Sequence, residues 1–235
     1  MRLDSYLADK NLALSRNKAR ELIEQALVKV NGKIVTKPSI DIKEEDEVVV
    51  LTHKNFVSRS AYKLELFLEE LELDIEGFIA LDIGSSRGGF TQVLLGRGAS
   101  EVSAIDVGKD QLHESLRADE RVRVYEECDI REFKSEQRFD IVVSDVSFIS
   151  LHHILKDIDR LAKKDIILLF KPQFEVGKNI KRDSSGVVQD KKAIAHAMVK
   201  FEDATTLLGW QLIAKDEAKL SGKEGNVEYC YYFSR

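Results

Sequence analysis

The sequence predicts an α/β protein in which a small α+β domain precedes a larger domain built on a doubly wound sheet. Three observations predict this fold class. Short apolar runs alternate with helix-length segments from residue 78 onward, a glycine-rich turn follows the first run, and the N-terminal segment combines helical periodicity with a hairpin pattern. Strand–helix alternation is typical of a parallel sheet with helices on both faces. We place the small domain at residues 1–52, a connector at 53–57 and the larger domain at 58–235.

The small domain begins with two helices. Apolar residues from Leu3 to Leu7 have helical spacing, and a second helix is predicted over residues 16–26, with Ser15 as its N-cap. A hairpin is predicted over residues 28–35. Alternating apolar residues there flank Asn31-Gly32, a pair that tolerates positive φ.

Charge is segregated along the chain. The net charge is −5, yet residues 16–37 hold six basic residues against two acidic ones, and acidic residues cluster at 41–47. An isolated charge run is by default a solvated face, but a basic helix beside a basic hairpin favours binding of RNA phosphates. The candidate phosphate contacts are Arg2, Arg16, Lys18, Arg20, Lys29, Lys33, Lys37 and Arg59, with further ones at Lys54, Lys178, Lys181 and Arg182.

The larger domain alternates strands and helices. Its short apolar runs are typical of buried parallel strands. The predicted strands are Phe78–Ile83, Val102–Asp106, Val122–Tyr125, Phe139–Ser144 and Asp165–Phe170, followed by Trp210–Ala214 and Val227–Phe233. The predicted helices are Gly89–Gly96, Lys109–Arg117, Leu151–Ala162 and Lys191–Leu208.

A glycine-rich turn after the first strand of the larger domain predicts a cofactor site. Ligands of open α/β sheets bind at the carboxyl ends of the strands. Asp106, at the end of the next strand, has the spacing of a carboxylate that accepts hydrogen bonds from ribose hydroxyls, and the turn lacks the Gly-x-Gly-x-x-Gly pattern of NAD sites. Asp82 is suited to face the positive methionine end of S-adenosylmethionine, although the glycines could instead serve only tight packing. The candidate cofactor residues are Asp82, Gly84, Ser85, Ser86, Gly88, Gly89, Phe90, Asp106, Asp129 and Asp145.

Four polar residues occupy positions where chemistry is expected. Asp145 and Lys171 follow the fourth and fifth strands, Lys63 lies in a helix before the first strand, and Glu228 lies in the last predicted strand. A lysine directly after a buried apolar strand is costly unless it is used or paired. Each residue alone also has an ordinary structural explanation, such as a helix cap or a surface charge.

Composition excludes several classes of protein. Hydrophobic residues make up 43% of the chain, but no apolar run approaches the ~20 residues of a membrane helix, and the N-terminus lacks a signal-peptide pattern. We therefore expect a cytoplasmic protein, and a monomer. Cys128 and Cys230 are too few for a disulfide framework or a zinc site, so we expect two buried thiols and no metal.

Two parts of the chain resemble known families. Met1–Asp4, Ser15–Ile23 and Val28–Lys33 resemble the S4-like RNA-binding domain. Lys63, Asp145, Lys171 and Glu228 resemble the Lys-Asp-Lys-Glu tetrad of FtsJ-like ribose 2′-O-methyltransferases, and nearly the whole chain resembles the TlyA (haemolysin A) family. The resemblance implies a Rossmann-like class I methyltransferase domain that uses S-adenosylmethionine. It also implies a cytidine 2′-hydroxyl of ribosomal RNA as substrate, in free RNA or assembled subunits, with the large subunit favoured because the chain is short at both ends.

The resemblance also implies roles for the tetrad. Lys171 would be the base, in a neutral form that burial and the second cation, Lys63, would favour. Asp145 would orient it near the sulfonium, and Lys63 and Glu228 would position the ribose. The chain departs from the family pattern at Arg87, where small residues are usual, and in a longer loop at residues 177–187.

Three other functions remain to be weighed. An exocyclic-amine methyltransferase would carry an Asn/Asp-Pro-Pro-aromatic motif after the fourth strand, and a cytosine C5 enzyme would need a nucleophilic cysteine there or after the fifth. Neither pattern is present. A non-catalytic ribosome-binding assembly factor is disfavoured by the intact tetrad. A membrane-lytic toxin is disfavoured by the lack of long apolar or cationic amphipathic segments.

Overall fold

The first unit of the protein contains two helices and a three-stranded sheet. Helices α1 (Leu3–Asp9) and α2 (Arg16–Glu24) precede strands β1 (Val28–Val30), β2 (Lys33–Val35) and β3 (Val48–Val50), which pair antiparallel in the order β2-β1-β3. Asn31 and Gly32 have φ values of 50° and 76°, as a two-residue type I′ hairpin requires, so the predicted hairpin is confirmed. Leu3, Leu7 and Ile23 are fully buried and form its core.

The second unit alternates strands and helices. Its helices are α3 (Ser60–Leu71), α4 (Gly89–Gly96), α5 (Glu114–Arg117), α6 (Leu155–Leu161), α7 (Pro172–Glu175) and α8 (Lys191–Leu207), with a 3₁₀ turn at Leu151–His153. Its strands are β4 (Ile79–Ile83), β5 (Glu101–Ile105), β6 (Val122–Tyr125), β7 (Phe139–Ser144), β8 (Ala162–Phe170), β9 (Gln211–Glu217) and β10 (Tyr229–Ser234).

The seven strands of the second unit form one sheet in the order β6-β5-β4-β7-β8-β10-β9. Strands β4 to β8 are parallel, and β10 runs antiparallel between β8 and β9. Two buried clusters cover opposite faces, one including residues of α3 and α4 and the other residues of α6 and α8. The predicted doubly wound α/β architecture is confirmed, and the reversed strand β10 is an addition to it.

The computed structural model describes residues 1–24, 27–51, 56–222 and 224–235, which contacts divide into two compact units, Met1–Asn55 and Phe56–Arg235. Phe56 and Val57, predicted to lie in the connector, pack against the core of the second unit. Ala26 of the predicted second helix, the predicted contact Lys54 and the rest of the connector lie outside the described residues.

Several predicted elements differ from the structure. The helix predicted over Lys109–Arg117 is reduced to α5, because the carboxylate of Glu126 accepts backbone hydrogen bonds from Asp110, Gln111 and Leu112 and holds them outside a helix. The helix predicted over Leu151–Ala162 is divided into the 3₁₀ turn and α6. Cys230 is buried as predicted, but Cys128 is only half-buried.

Candidate active site

The turn between β4 and α4 requires its glycines for two different reasons. Gly84 has φ +78°, and a Cβ there would lie 3.0 Å from Val146 Cγ1. Gly88, the N-cap of α4, has φ +90°, and a Cβ there would lie 2.3 Å from Leu116 Cδ1. A Cβ on Gly89 would collide with Ser58 Oγ. Gly88 and Gly89 therefore serve tight packing, whereas Gly84 borders a cavity.

This cavity, which we call the strand-end cavity, lies at the carboxyl ends of the parallel strands, where the chain order of the sheet reverses. Its volume is about 360 Å³, within the range of small-molecule sites. Five of the predicted cofactor residues line it: Gly84, Ser86, Asp106, Asp129 and Asp145. Cys128, Val146, Ser147 and Phe148 contribute further wall.

Asp106 presents its carboxylate at this cavity. Oδ2 accepts a hydrogen bond from the Ser86 amide at 2.8 Å, and Oδ1 accepts one from the Gly108 amide at 2.7 Å. Two backbone donors thus fix the carboxylate and leave lone pairs for ligand hydroxyls. Asp129 is different, because Arg131 binds both of its carboxylate oxygens. That pairing lowers the pKa of Asp129 and directs its charge toward Arg131.

The remaining predicted cofactor residues do not line the strand-end cavity. Ser85 is buried in the turn, and Phe90 packs in the hydrophobic core of α3 and α4. Asp82 is fully buried on β4, where Oδ2 accepts hydrogen bonds from Thr91 N (2.9 Å) and Thr91 Oγ1 (2.7 Å). Its other oxygen, Oδ1, has no hydrogen-bond partner among the described residues. Burial raises the pKa of Asp82 to about 7.

A second cavity adjoins the first, and we call it the ion-pair cavity. Its volume is about 610 Å³, and its lining includes Lys63, Lys171, Gln173 and Glu228. Ser147 and Phe148 line both cavities. The two spaces therefore share a wall that consists of the residues following Asp145, and a ligand in one would lie beside a ligand in the other.

The four tetrad residues form two ion pairs. Lys63 Nζ lies 2.5 Å from Glu228 Oε2, and Lys171 Nζ lies 2.6 Å from Asp145 Oδ1. Lys171 Nζ also donates to Ser147 Oγ at 2.8 Å. The two lysine side chains are 9% exposed, which makes them buried charges that need such partners. Glu228 lies just before β10 rather than within it. The strand predicted over Val227–Phe233 therefore began two residues too early.

Two residues that the sequence did not single out belong to this arrangement. Ser147 binds Lys171, and Gln173 Nε2 donates to Glu228 Oε1 at 3.2 Å. Both lie within two residues of a predicted tetrad member, which is the only sequence signal for them. Their hydrogen bonds depend on side-chain directions that strand and helix patterns do not specify.

The predicted RNA contacts fall into two groups. In the first unit, Arg2, Arg16 and Arg20 converge on Asp4, while Lys33 and Lys37 are exposed in and after the hairpin. Lys29 is half-buried in β1, and Lys18 pairs with Glu21. In the second unit, Arg59 donates to the Ser221 carbonyl at 3.4 Å, and its buried Nε has no hydrogen-bond partner among the described residues. Burial lowers the pKa of Arg59, an effect that Glu228 opposes.

Comparison with known proteins agrees with this geometry. Residues 56–235 match the model of the FtsJ-like methyltransferases, and residues 1–48 match that of the S4 domain. The chain is 49% identical to the 23S rRNA (cytidine-2′-O)-methyltransferase TlyA of Campylobacter jejuni, over 99% of both chains. The chain belongs to the TlyA family.

Another TlyA relative and a solved structure are also similar to this chain. The 16S/23S rRNA (cytidine-2′-O)-methyltransferase TlyA of Mycobacterium tuberculosis is 40% identical over 97% of this chain and 87% of its own. A solved structure from Streptococcus thermophilus, described as a hemolysin, has a TM-score of 0.73 and 31% identity, and covers 100% of this chain and 88% of that one. Within the described part of this chain, no helix is long and apolar enough to cross a membrane.

Arg87 and the loop at residues 177–187, where we expected departures from the family pattern, do not line the strand-end cavity. Arg87 is exposed, and its Nε donates to the Val57 carbonyl at 3.3 Å. The loop at residues 177–187 folds around Arg182, which donates to the carbonyls of Gln173, Gly177 and Ile180. Arg182 and the neighbouring Ser185 line the ion-pair cavity, so this loop forms part of its wall.

Proposed function

We propose that this protein transfers a methyl group from S-adenosylmethionine to a cytidine ribose 2′-hydroxyl of large-subunit ribosomal RNA, free or in assembled subunits. One observation carries the proposal. The buried pairs Lys63–Glu228 and Lys171–Asp145 converge beside a cavity at the strand ends, with Ser147 and Phe148 common to both spaces. The name of the Campylobacter jejuni relative, at 49% identity, supports the choice of substrate.

The strand-end cavity fits the cofactor. Asp106 would accept hydrogen bonds from the ribose hydroxyls, and Gly84 leaves room where a Cβ would narrow the wall against Val146. Asp82 is fully buried and does not line this cavity, so we assign it no direct contact with the methionine end. When bound, S-adenosylmethionine supplies an electrophilic methyl group.

The ion-pair cavity would hold the ribose and its proton acceptor. Lys171 Nζ would be the acceptor of the proton that the 2′-hydroxyl loses. Asp145 and Ser147 fix that nitrogen through contacts of 2.6 and 2.8 Å. Lys63 and Glu228 would donate to and accept from the ribose oxygens, and Gln173 orients Glu228. Correct positioning of the hydroxyl accounts for much of the rate enhancement in such a transfer.

RNA would bind through the basic residues of both units. The arginines around Asp4 and the exposed Lys33 and Lys37 would contact phosphates, as would Lys178, Lys181 and the half-buried Arg59. Structured RNA is recognised largely by shape and backbone. These contacts would orient the substrate, while the ion-pair cavity selects the reacting sugar.

Tritium transfer from labelled S-adenosylmethionine to unmethylated ribosomal subunits tests the proposal. We expect label on a cytidine ribose, and we expect Lys171→Ala to lower kcat by about 10²- to 10⁴-fold because the proton acceptor is removed. Lys163→Ala is the matched control. Lys163 is an exposed lysine at the other end of β8, paired with Asp140, and its loss should leave kcat unchanged.

Three outcomes would contradict the proposal. Label on a base would indicate an RNA base methyltransferase. Full turnover by Lys171→Ala would exclude this lysine as the base. Binding of S-adenosylmethionine and of ribosomal subunits without transfer to any ribosomal RNA would favour the non-catalytic assembly factor.

A further inference from the structure

Asp4 lies at the centre of three arginines in the first unit. Its side chain is 0% exposed, whereas those of Arg2, Arg16 and Arg20 are 41%, 55% and 54% exposed. Arg2 donates to both carboxylate oxygens at 3.0 Å, and the Nε atoms of Arg16 and Arg20 lie 3.2 and 3.7 Å from Oδ2. The arginines therefore cover the carboxylate, and it holds them on one surface.

All three arginines approach Asp4 through the Nε edge of the guanidinium. A guanidinium has five N–H donors in a rigid planar fork. Contact through the Nε edge leaves the Nη1 nitrogen, on the opposite edge, directed away from the carboxylate. The cluster thus presents three guanidinium edges outward, and its net charge is positive because three cations surround one anion.

An arginine side chain loses considerable rotamer freedom when it binds a phosphate. A binding group that is already fixed before association avoids part of this cost. Without Asp4, three guanidiniums on one surface would also repel one another and separate. The buried carboxylate reduces both the loss of rotamer freedom on binding and the repulsion between the arginines. It does so at the expense of one negative charge on a basic surface.

We propose that Asp4 is a positioning residue, which fixes Arg2, Arg16 and Arg20 in one array that binds consecutive phosphates of ribosomal RNA. The inference rests on the proposed function, since RNA is the ligand in both. The inference goes beyond the proposed function because it gives an acidic residue a part in RNA binding, which Asp4 plays through the arginines and without touching RNA. Asp4 also lies in the first turn of α1, where a carboxylate stabilises a helix, so the test must separate the two roles.

The test compares Asp4→Asn with Asp9→Asn in the full chain. Both changes remove one carboxylate from α1, but Asp9 is exposed at the end of the helix. Binding of unmethylated large-subunit ribosomal RNA is measured from 50 to 300 mM salt. We expect Asp4→Asn to bind about tenfold more weakly, even though the change removes a negative charge. We also expect the slope of log affinity against log salt concentration, the salt slope, to fall in magnitude by about 1 to 2. Asp9→Asn should bind as tightly as the wild type, or more tightly.

Two further variants exclude a purely structural effect. Asp4→Glu restores the charge and should recover most of the salt slope. A loss of helix stability alone would lower the melting temperature but leave the salt slope of the folded protein unaltered. In an Arg2→Gln/Arg16→Gln/Arg20→Gln background, Asp4→Asn should no longer weaken binding. A similar loss in that background, or an Asp4→Asn variant that binds as tightly as Asp9→Asn, would overturn the positioning role. Absence of RNA binding by the wild type would instead overturn the proposed function along with it.

Discussion

Asp82 is a buried carboxylate whose two oxygens have unequal environments. Thr91 donates two hydrogen bonds to Oδ2, while Oδ1 has no partner among the described residues. Burial raises the pKa of Asp82 from its ordinary value of 3.8 to about 7, and Asp145 and Asp106 add to the shift. Between these two values the folded protein holds a proton that the unfolded chain has lost. The free energy of unfolding therefore falls as the pH rises from about 4 to about 7.

Asp82→Asn should remove this pH dependence, since the amide does not titrate. We expect the difference in free energy of unfolding between wild type and variant to change by a few kcal/mol between pH 5 and pH 8, with the wild type relatively more stable at the lower pH. Urea unfolding followed by fluorescence of Trp210, the single tryptophan and a buried residue of the second unit, measures it. A difference that stays constant over this range would show that Asp82 is ionised throughout.

Individual site residues differ in how far the sequence could predict them. Asp145 and Lys171 follow strands whose carboxyl ends share one edge of the sheet, so their proximity follows from topology. The hydrogen bond between Gln173 and Glu228 could not be predicted in this way, because neither the strand pattern nor the spacing brings their segments together. Asp129 lines the strand-end cavity because it follows the third parallel strand, but its pairing with Arg131 depends on a rotamer.

Gly88 and Gly96, the N-cap and the last residue of helix α4, have opposite surroundings. A Cβ on Gly88 would collide with Leu112 and Leu116 at positive φ, whereas a Cβ on Gly96 would meet nothing within 4 Å. We expect Gly88→Ala to lower the free energy of unfolding by ~1–3 kcal/mol. Gly96→Ala, the matched control, should leave it unchanged or raise it by up to ~1 kcal/mol, because alanine favours the helix. Urea unfolding compares the two, and equal effects would contradict the packing role of Gly88.

Elements with strong periodicity were predicted better than those held by distant side chains. The bounds predicted for α4, β6 and β7 agree with the structure, since their apolar pattern alone specifies them. Helix α5 is shorter because Glu126 binds the backbone that precedes it, and its hydrogen bond from Arg117 lowers the pKa of Glu126 to about 2. Because Glu126 follows β6, the sequence of the α5 segment itself gives no sign of this contact.

The whole molecule is acidic, yet its charges are unevenly distributed. Residues 1–55 carry ten Lys and Arg against nine Asp and Glu, so the excess of acidic residues lies in the second unit. We expect RNA affinity to fall steeply between 50 and 200 mM salt, because local phosphate contacts rather than net charge determine it. Affinity that is constant over this range would contradict RNA binding by the basic surface.

A paired substitution tests which unit is responsible for this salt dependence. Lys33→Gln/Lys37→Gln removes two exposed lysines of the first unit and should reduce the salt slope by about 1 to 2. Lys163→Gln/Lys164→Gln removes two exposed lysines where β8 begins, at the edge of the sheet opposite the cavities. This second variant should show the same salt dependence of RNA affinity as the wild type.

The sheet as a whole could be predicted only in part. Alternation of strands and helices predicted β4 to β8 and their parallel arrangement, because crossover helices leave few other solutions. The insertion of β10 between β8 and β9 has no such local signal, as antiparallel pairing depends on contacts between distant segments. That insertion is what brings Glu228 to the carboxyl ends of β4, β7 and β8, since a reversed strand begins where its parallel neighbours end.

The separation of Lys63 and Glu228 along the sequence also has a consequence during synthesis of the chain. The S4 domain and Lys63 leave the ribosome first, while Glu228 is translated 165 residues after the lysine with which it pairs. A nascent chain can therefore present its basic surface to ribosomal RNA well before its active site is complete. On the ribosome that makes it, this protein would be an RNA-binding protein before it is a methyltransferase.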